Sequence, residues 1–366
     1  MHDLRLTQIS ATLDKKLGGP TSVVLDTHDF FLERFYNYTL LVFGETTLTE
    51  TNSFKAPTLF RNRFALLNNP LNLTFIRKLR KSDVILLHGY YLFSTIYSLL
   101  FYKGDRIFLM PHGTFEFYQQ KKHKIRKLVF GLFLNVFLRS REIHFLVASE
   151  AEVPSLKAKF PKNSVTVVGI GVNLQKLNLN ESRNENGIRL IFMGRIAEKK
   201  RIDLCMQAVK TLKLMGYKIC FEIVGTGDEF LIQFLKKLVK ELEIEDSVQF
   251  LGHLENEELY RVLALSHIFI LPSENENFAI AVAESIGASV PVIVSKNVAM
   301  HNFVSEYKVG ITIDNLESNS IVNAILELLD NYSQFKDNCI KNRSLLDWSS
   351  VFVQWEEVLV RKKAVS

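Results

Sequence analysis

Three cysteines in 366 residues, Cys205, Cys220 and Cys339, are too few and too scattered for a disulfide framework, and none stands at the short spacing of a metal knuckle or a redox pair. They read as core fillers in a reducing compartment. Long apolar runs are also missing: the longest, LVFGLFLNVFL from Leu128 to Leu138, is interrupted by Gly131 and Asn135 and falls short of the roughly 20 residues a membrane span needs. The opening MHDLRLTQIS lacks the basic start and apolar stretch of a secretion signal, so a cytoplasmic protein is expected. No repeat of 20 to 50 residues is visible, which excludes a solenoid. What is present is 47% hydrophobic and 23% charged residues, enough for two domains with a core each and incompatible with disorder.

The net charge of +6 is unevenly spread: residues 1–170 carry +10 and residues 171–366 carry −4. An anionic partner would meet the first half. Within it, KKHKIRKLVFGLFLNVFLRSR (121–141) has cationic flanks around an apolar centre. This composition suits a helix on an anionic membrane surface, or equally a buried helix whose ends reach water.

Short apolar runs alternate with helix-period segments along the whole chain. Strands are expected at 4–10, 38–44, 83–88, 106–110, 143–147 and 165–169, then at 188–194, 218–225, 248–252, 268–272 and 290–294. Strands so uniformly apolar, separated by helices, point to α/β architecture with parallel sheets covered on both faces. Pro20 in a first turn, Ser149 with Glu152 as a capping box, and the periodic stretch Leu204 to Leu214 mark helices. The polar, Asn-rich 172–186 reads as a linker, giving domains 1–172 and 173–347 and a C-terminal helix, 348–366, packing back on the first.

The most informative stretch is LPSENENFAIAVAESIGASVPVIV, Leu271 to Val294. A strand leads into a loop with Glu274 and Glu276, a helix begins near Phe278, and Glu284 sits inside it. A helix N-terminus offers unpaired N–H groups and partial positive charge, suited to a phosphate, and the two glutamates could accept from sugar hydroxyls. The alternative is a helix-terminal charge and a solvated glutamate. In MGRIAEKKRIDL (193–204), Arg195 and Lys200 follow a strand, where two cations can hold a diphosphate or be plain surface charges. IVGTG (223–227), KKLGGPTSVV (15–24) and MPHGTFEFY (110–118) place glycines and a histidine at further strand ends. His112 and His88 are candidates for hydrogen bonds to a ligand or satisfied core histidines.

Together these motifs resemble the retaining glycosyltransferases of family 4, also called glycosyl transferases group 1. Ser273, Glu276, Asn277, Phe278, Ala279, Glu284, Ser285, Pro291, Val292 and Ile293 follow the family's donor-site pattern, and Arg195 and Lys200 its Gly-Arg-x-x-x-x-Lys-Gly loop. The chain departs from the pattern at Ala279 and Arg201, where Gly is usual, and at Ser285 and Val290. VGTG and VQFLGHLENEEL (248–259) resemble elements bordering the base and ribose. The resemblance is strong over 188–312 and moderate over 1–30 and 83–170.

It implies the GT-B fold, two Rossmann-like doubly wound domains facing across a cleft, and transfer from a UDP- or GDP-linked sugar with retention. The implied acceptor is a glycan or a lipid-linked glycan of a surface polysaccharide such as lipopolysaccharide or capsule. The implied catalytic residues are Glu276, His112, Arg195 and Lys200. The implied nucleotide-sugar contacts are Gly18, Gly19, Arg195, Lys200, Gly225, Leu254, Glu276, Asn277, Phe278, Ala279, Ile280 and Glu284. Glu284 would take the ribose hydroxyls. The absence of any Asp-x-Asp triplet suits a mechanism with no metal and no cofactor beyond the donor. No nucleic acid partner is expected, and contact with an anionic membrane would run through 121–141. Alternatives are a non-catalytic nucleotide-sugar-binding or regulatory module, and a nucleotide-sugar epimerase of related fold. A glycoside hydrolase would have no use for the cation loop.

Overall fold

The computed structural model describes residues 2–13, 19–43, 58–59, 73–115, 131, 141–177, 187–254 and 256–361. The chain forms two compact units, Met1–Gly169 with Phe352–Ser366, and Ile170–Val351.

The first unit runs β1 (His2–Ser10), α1 (Gly19–Arg34), β2 (Phe35–Val42), β3 (Thr58–Leu59), α2 (Leu73–Lys81), β4 (Val84–His88), α3 (Phe93–Phe101), β5 (Ile107–Met110), β6 (Ile143–Val147), α4 (Val153–Lys159) and β7 (Val165–Val167). Its strands lie in the order β3-β2-β1-β4-β5-β6-β7, every pairing parallel. All five residues of VILLH in β4 are buried, as expected of a central strand covered on both faces. A Phe- and Tyr-rich core with Phe75, Tyr97, Phe145 and Phe160 covers one side.

The second unit runs α5 (Leu174–Leu177), β8 (Ile188–Met193), α6 (Ile202–Leu214), β9 (Ile219–Val224), α7 (Glu229–Glu241), β10 (Val248–Gly252), α8 (Asn256–Leu265), β11 (Ile268–Leu271), α9 (Ile280–Gly287), β12 (Val292–Ser295), α10 (His301–Tyr307), β13 (Gly310–Ile313), α11 (Ser318–Asp330) and α12 (Tyr332–Asn342). The sheet order is β10-β9-β8-β11-β12-β13, again all parallel. Its core is mostly Ile, Val and Leu. The last helix, α13 (Trp348–Val360), begins in this unit, and from Phe352 onward it belongs to the first. There Phe352 packs edge-on against Phe31, and Trp355 donates to the Gly169 carbonyl at 3.2 Å.

All eleven expected strands are present, and β3 and β13 are additional. β13 reads GITI, too short and too small-featured to stand out from its flanks. Two expectations are corrected. The segment 172–177 is no linker: Val172 bridges to Asp347, and Leu177 is buried in the core of the second unit. Apolar Val172, Leu174 and Leu177 outweigh the polar residues between them; 178–186 lies outside the described residues. The Ser149–Glu152 pair is no capping box either. Glu152 is 2% exposed and accepts from the backbone N–H of Ala148 at 3.1 Å and of Gly113 at 2.7 Å. A carboxylate can serve distant N–H groups as well as its own helix, and here burial favours the distant loop.

Candidate functional sites at the two strand-order switch points

Each sheet reverses strand order once, between β1 and β4 in the first unit and between β8 and β11 in the second. At such a point adjacent loops leave the carboxyl ends in opposite directions and open a crevice. The motifs singled out in the sequence fall on these loops and on the neighbouring ones after β5 and β9, with 14–18 outside the described residues.

In the second unit the loops after β8, β9 and β10 are stitched together by backbone hydrogen bonds. Gly194 N donates to Val224 O, Ile196 N to Thr226 O and Gly225 N to Gly252 O, at 3.0, 2.9 and 2.6 Å. A Cβ on Gly225 would stand 1.9 Å from the Gly194 oxygen, and one on Gly227 2.1 Å from that of Ile196. The glycines of VGTG are thus demanded by the fold whatever binds beside them.

A short 3₁₀ turn, Glu198–Lys200, then carries two lysines onto the loop after β11. Glu274 N donates to Lys199 O at 2.7 Å and Lys199 Nζ to Asn275 O at 2.8 Å. Glu276 is pinned through its own backbone, donating to Asn297 O and accepting from Ala299 N. Its Oε1 receives Lys200 Nζ at 2.7 Å, Lys199 Nζ at 3.0 Å and the Ser273 hydroxyl at 3.0 Å. No partner of Oε2 is found among the described residues.

Burial alone would raise the Glu276 pKa, but the charges of Lys200 and Lys199 outweigh it and hold the carboxyl below its ordinary value. Lys200 is pulled down by burial, opposed by Glu276. Among the described residues, two cations face one anion in this cluster. Arg195 is exposed, and its guanidinium pairs with no described residue.

The helix that follows starts at Ile280, two residues later than expected, with Ala279 at φ 66°, ψ 68° and no side chain capping its first turn. Arg201 likewise adopts φ 52°, ψ 42°, and is held by Asp203 at 3.0 Å and Glu274 at 3.6 Å. Both positions where the family's pattern has glycine are therefore left-handed here. The backbone takes a conformation that glycine adopts readily, although neither residue is glycine.

Phe278, Ala279, Ile280 and Leu254 are partly buried against the core, and Glu284 is half-buried on α9. Among the described residues no three His, Cys, Asp or Glu side chains group as metal donors would. A cavity of about 410 Å³ bounded by Arg189, Lys213, Tyr217 and Gln249 lies at the opposite, amino ends of β8–β10, away from the motifs.

In the first unit, Gly18 lies outside the described residues and Gly19 is the exposed first residue of α1. His88 ends β4 and is 4% exposed; His112 follows β5 in a left-handed turn at φ 53°. Their ring centroids lie 5.2 Å apart with the planes 22° apart, and His88 Nδ1 is 2.9 Å from His112 Nε2, so the two rings meet edge to edge. Burial pushes the His112 imidazole down to about 4, and burial together with His112 pushes His88 well below its usual value. Both rings are neutral at pH 7.

The structure joins Lys200 to Glu276 and His88 to His112, whereas Arg195 stays outside the ion-paired group. Three participants were not anticipated. Lys199 was masked by the adjacent Lys200. Glu152 was assigned to a cap. Gln8 contacts His88, and as a polar residue inside the apolar run LRLTQIS it did carry a signal. The segment 121–141, apart from Gly131 and Arg141, lies outside the described residues. No described helix is long and apolar enough to cross a membrane.

Residues 175–344 match the family "Glycosyl transferases group 1". The chain is 28% identical over 144 residues to the amylovoran biosynthesis glycosyltransferase AmsK of Erwinia amylovora, covering 37% of this chain and 35% of that relative. It thus spans about a third of that relative's length. Among solved structures, Anabaena HepE in complex with UDP and glucose superposes with a TM-score of 0.78 at 14% identity, covering 98% of this chain and all of that one. WaaG, a glycosyltransferase involved in lipopolysaccharide biosynthesis, superposes at 0.73 and 12% identity, with the same coverage. The fold is that of these GT-B proteins.

Proposed function

We propose that the protein is a retaining glycosyltransferase of family 4 type that moves a sugar from a nucleotide-sugar donor to a glycan or lipid-linked acceptor in surface polysaccharide biosynthesis. The carrying observation is the Lys199–Lys200–Glu276 cluster beside the uncapped start of α9, on the segment that matches the glycosyl transferases group 1 family. The cations of that loop, Lys199, Lys200 and Arg195, stabilise the charge that grows on a departing nucleoside diphosphate. Glu276, held through Oε1, presents Oε2 to the hydroxyls of the donor sugar, and Glu284 takes the ribose. His112 donates a hydrogen bond to the sugar or the β-phosphate. The lysines and Arg195 supply the charge neutralisation that a metal supplies elsewhere, so no metal is required. HepE was solved with UDP and glucose, which makes UDP-linked sugars the first donors to test.

Ala279 and Arg201, where the family's pattern has glycine, both adopt the left-handed backbone that glycine takes readily, which favours the transferase over a non-catalytic module. The deciding experiment is calorimetry with UDP, GDP, ADP and their sugar conjugates, followed by transfer assays with the anomeric configuration of the product read by NMR. One nucleoside diphosphate should bind, transfer should persist in chelator, and the donor's anomeric configuration should be kept. Inversion would refute retention, and metal-reversible loss in chelator would refute the metal-free mechanism.

A further inference from the structure

The charged cluster is one device; the first unit contains a different one, built from uncharged groups. Gln8 and Thr27 are fully buried, and Tyr38 completes a chain of hydrogen bonds ending at His112. Thr27 has a single hydroxyl proton and gives it to the backbone of its own helix, Val23 O at 2.6 Å. Its oxygen must therefore accept, and the group 2.9 Å away is the Gln8 side-chain nitrogen. This fixes the orientation of the Gln8 amide. Its oxygen then takes the Tyr38 hydroxyl at 2.5 Å, which agrees with a phenol whose pKa burial raises well above the usual value. Tyr38 in turn lies 3.0 Å from His28 Nδ1, which is left to donate to it.

The second proton of the Gln8 amide points at His88 Nε2, 2.9 Å away, so that nitrogen carries a lone pair. A neutral His88 must then be protonated at Nδ1, which faces His112 Nε2 at 2.9 Å. That nitrogen accepts, and the proton of neutral His112 is left on Nδ1. No described residue accepts from Nδ1. The backbone of the same turn is held separately, by Glu152 on Gly113 N.

We infer that Thr27, Gln8 and His88 form a positioning relay that sets His112 in the Nδ1–H tautomer, making it a fixed hydrogen-bond donor to an oxygen of the substrate. His112 is then neither a base nor a cation. The functional part rests on the glycosyltransferase reading; the tautomer does not. Among the described residues, the side chains of Gln8, Thr27 and His88 hydrogen-bond to one another, to Tyr38, to the Val23 and Val24 carbonyls and to His112, so an effect on transfer is expected to run through the ring they orient.

The test has two arms on the full-length protein. Long-range ¹H–¹⁵N spectra of protein labelled at histidine report which ring nitrogen carries the proton, with His88 and His112 assigned from single variants. Both rings should be neutral Nδ1–H at pH 7.5; an Nε2–H tautomer at His112, or a charged ring, overturns the relay. The second arm compares His88→Leu, which deletes the donor, with His88→Asn, whose amide nitrogen replaces Nδ1. We expect kcat to fall 10- to 100-fold in His88→Leu, with recovery to within about fivefold in His88→Asn and nucleoside diphosphate affinity unchanged in both. Equal losses in the two variants, or a loss confined to KM, would reduce His88 to a packing residue. Because the spectrum is read without turnover, a failure of the relay and a failure of the transferase reading are distinguishable.

Discussion

The two switch points solve the same problem by opposite means. In the second unit, a carboxylate and two lysines meet on the loops after β8 and β11 and stabilise one another: Glu276 stays ionised because Lys199 and Lys200 lie within 3.0 Å. In the first, the histidine relay carries no charge. Burial strips the protons from His88 and His112, and orientation passes along hydrogen bonds from a threonine to an imidazole. A charged cluster can answer the large charge of a diphosphate but tolerates many ligand orientations. A neutral relay contributes less energy and fixes direction, since every proton in it has one acceptor to meet. On the proposed function, the cluster would hold the leaving group and the relay would orient the sugar.

The comparison is tested most severely by Glu276→Ala. It should cut transfer by about 10²- to 10³-fold, the scale of losing a key electrostatic group. It should also lower the unfolding free energy by about 3 kcal/mol, because Lys200 is left largely buried without its counter-charge. Steady-state kinetics and urea unfolding report these separately. If His112→Ala costs more turnover than Glu276→Ala, the division of labour is reversed.

Acid should separate the units next. The folded pKa values of His28 and His112 are pushed down to about 4 by burial, below an unfolded value near 6.5. Between these values the unfolded state binds more protons, so the stability these rings confer is complete above pH 6.5 and is lost as pH falls towards 4. Glu276, whose pKa is depressed, contributes stability above its unfolded value of 4.5 and loses it only below that. Hydrogen exchange at stepped pH should show the first unit loosening before the second; simultaneous loosening would remove the contrast.

Arg195→Ala should weaken nucleoside diphosphate binding about tenfold, the worth of one charge-assisted contact. Being exposed and unpaired, it should leave stability within about 0.5 kcal/mol. Calorimetry beside thermal unfolding checks both. The smallest effect is expected from Ala279→Gly, which relieves a left-handed alanine and should stabilise the second unit by about 0.5 to 1 kcal/mol in denaturant titration.

How much of this could be read from the chain differs between the units for a physical reason. The second unit's site is local. Lys200 lies six residues past the Gly194 turn and Glu276 five past the end of β11, so a strand–loop–helix reading finds both. Lys199 escaped because two adjacent lysines look alike until a turn aims them. In the first unit the relay joins residues 8, 27, 88 and 112, from β1, α1, β4 and the loop after β5. No spacing rule connects them, and a lone glutamine in an apolar strand has many possible partners. The capping box misled in the same manner: Ser149 and Glu152 match a local motif, but the Ser149 side chain makes no cap hydrogen bond and the Glu152 carboxylate reaches Gly113 on another loop.

What the sequence by itself determined is the alternation of strands and helices, the parallel sheets, and the residue types at strand ends, because these follow from period, burial and turn chemistry along the chain. What only the tertiary structure decided is which charges cancel, which ring nitrogen bears a proton, and which departures from a glycine pattern leave the backbone unchanged. Those depend on distances between atoms tens of residues apart, and such distances exist only once the sheets have formed.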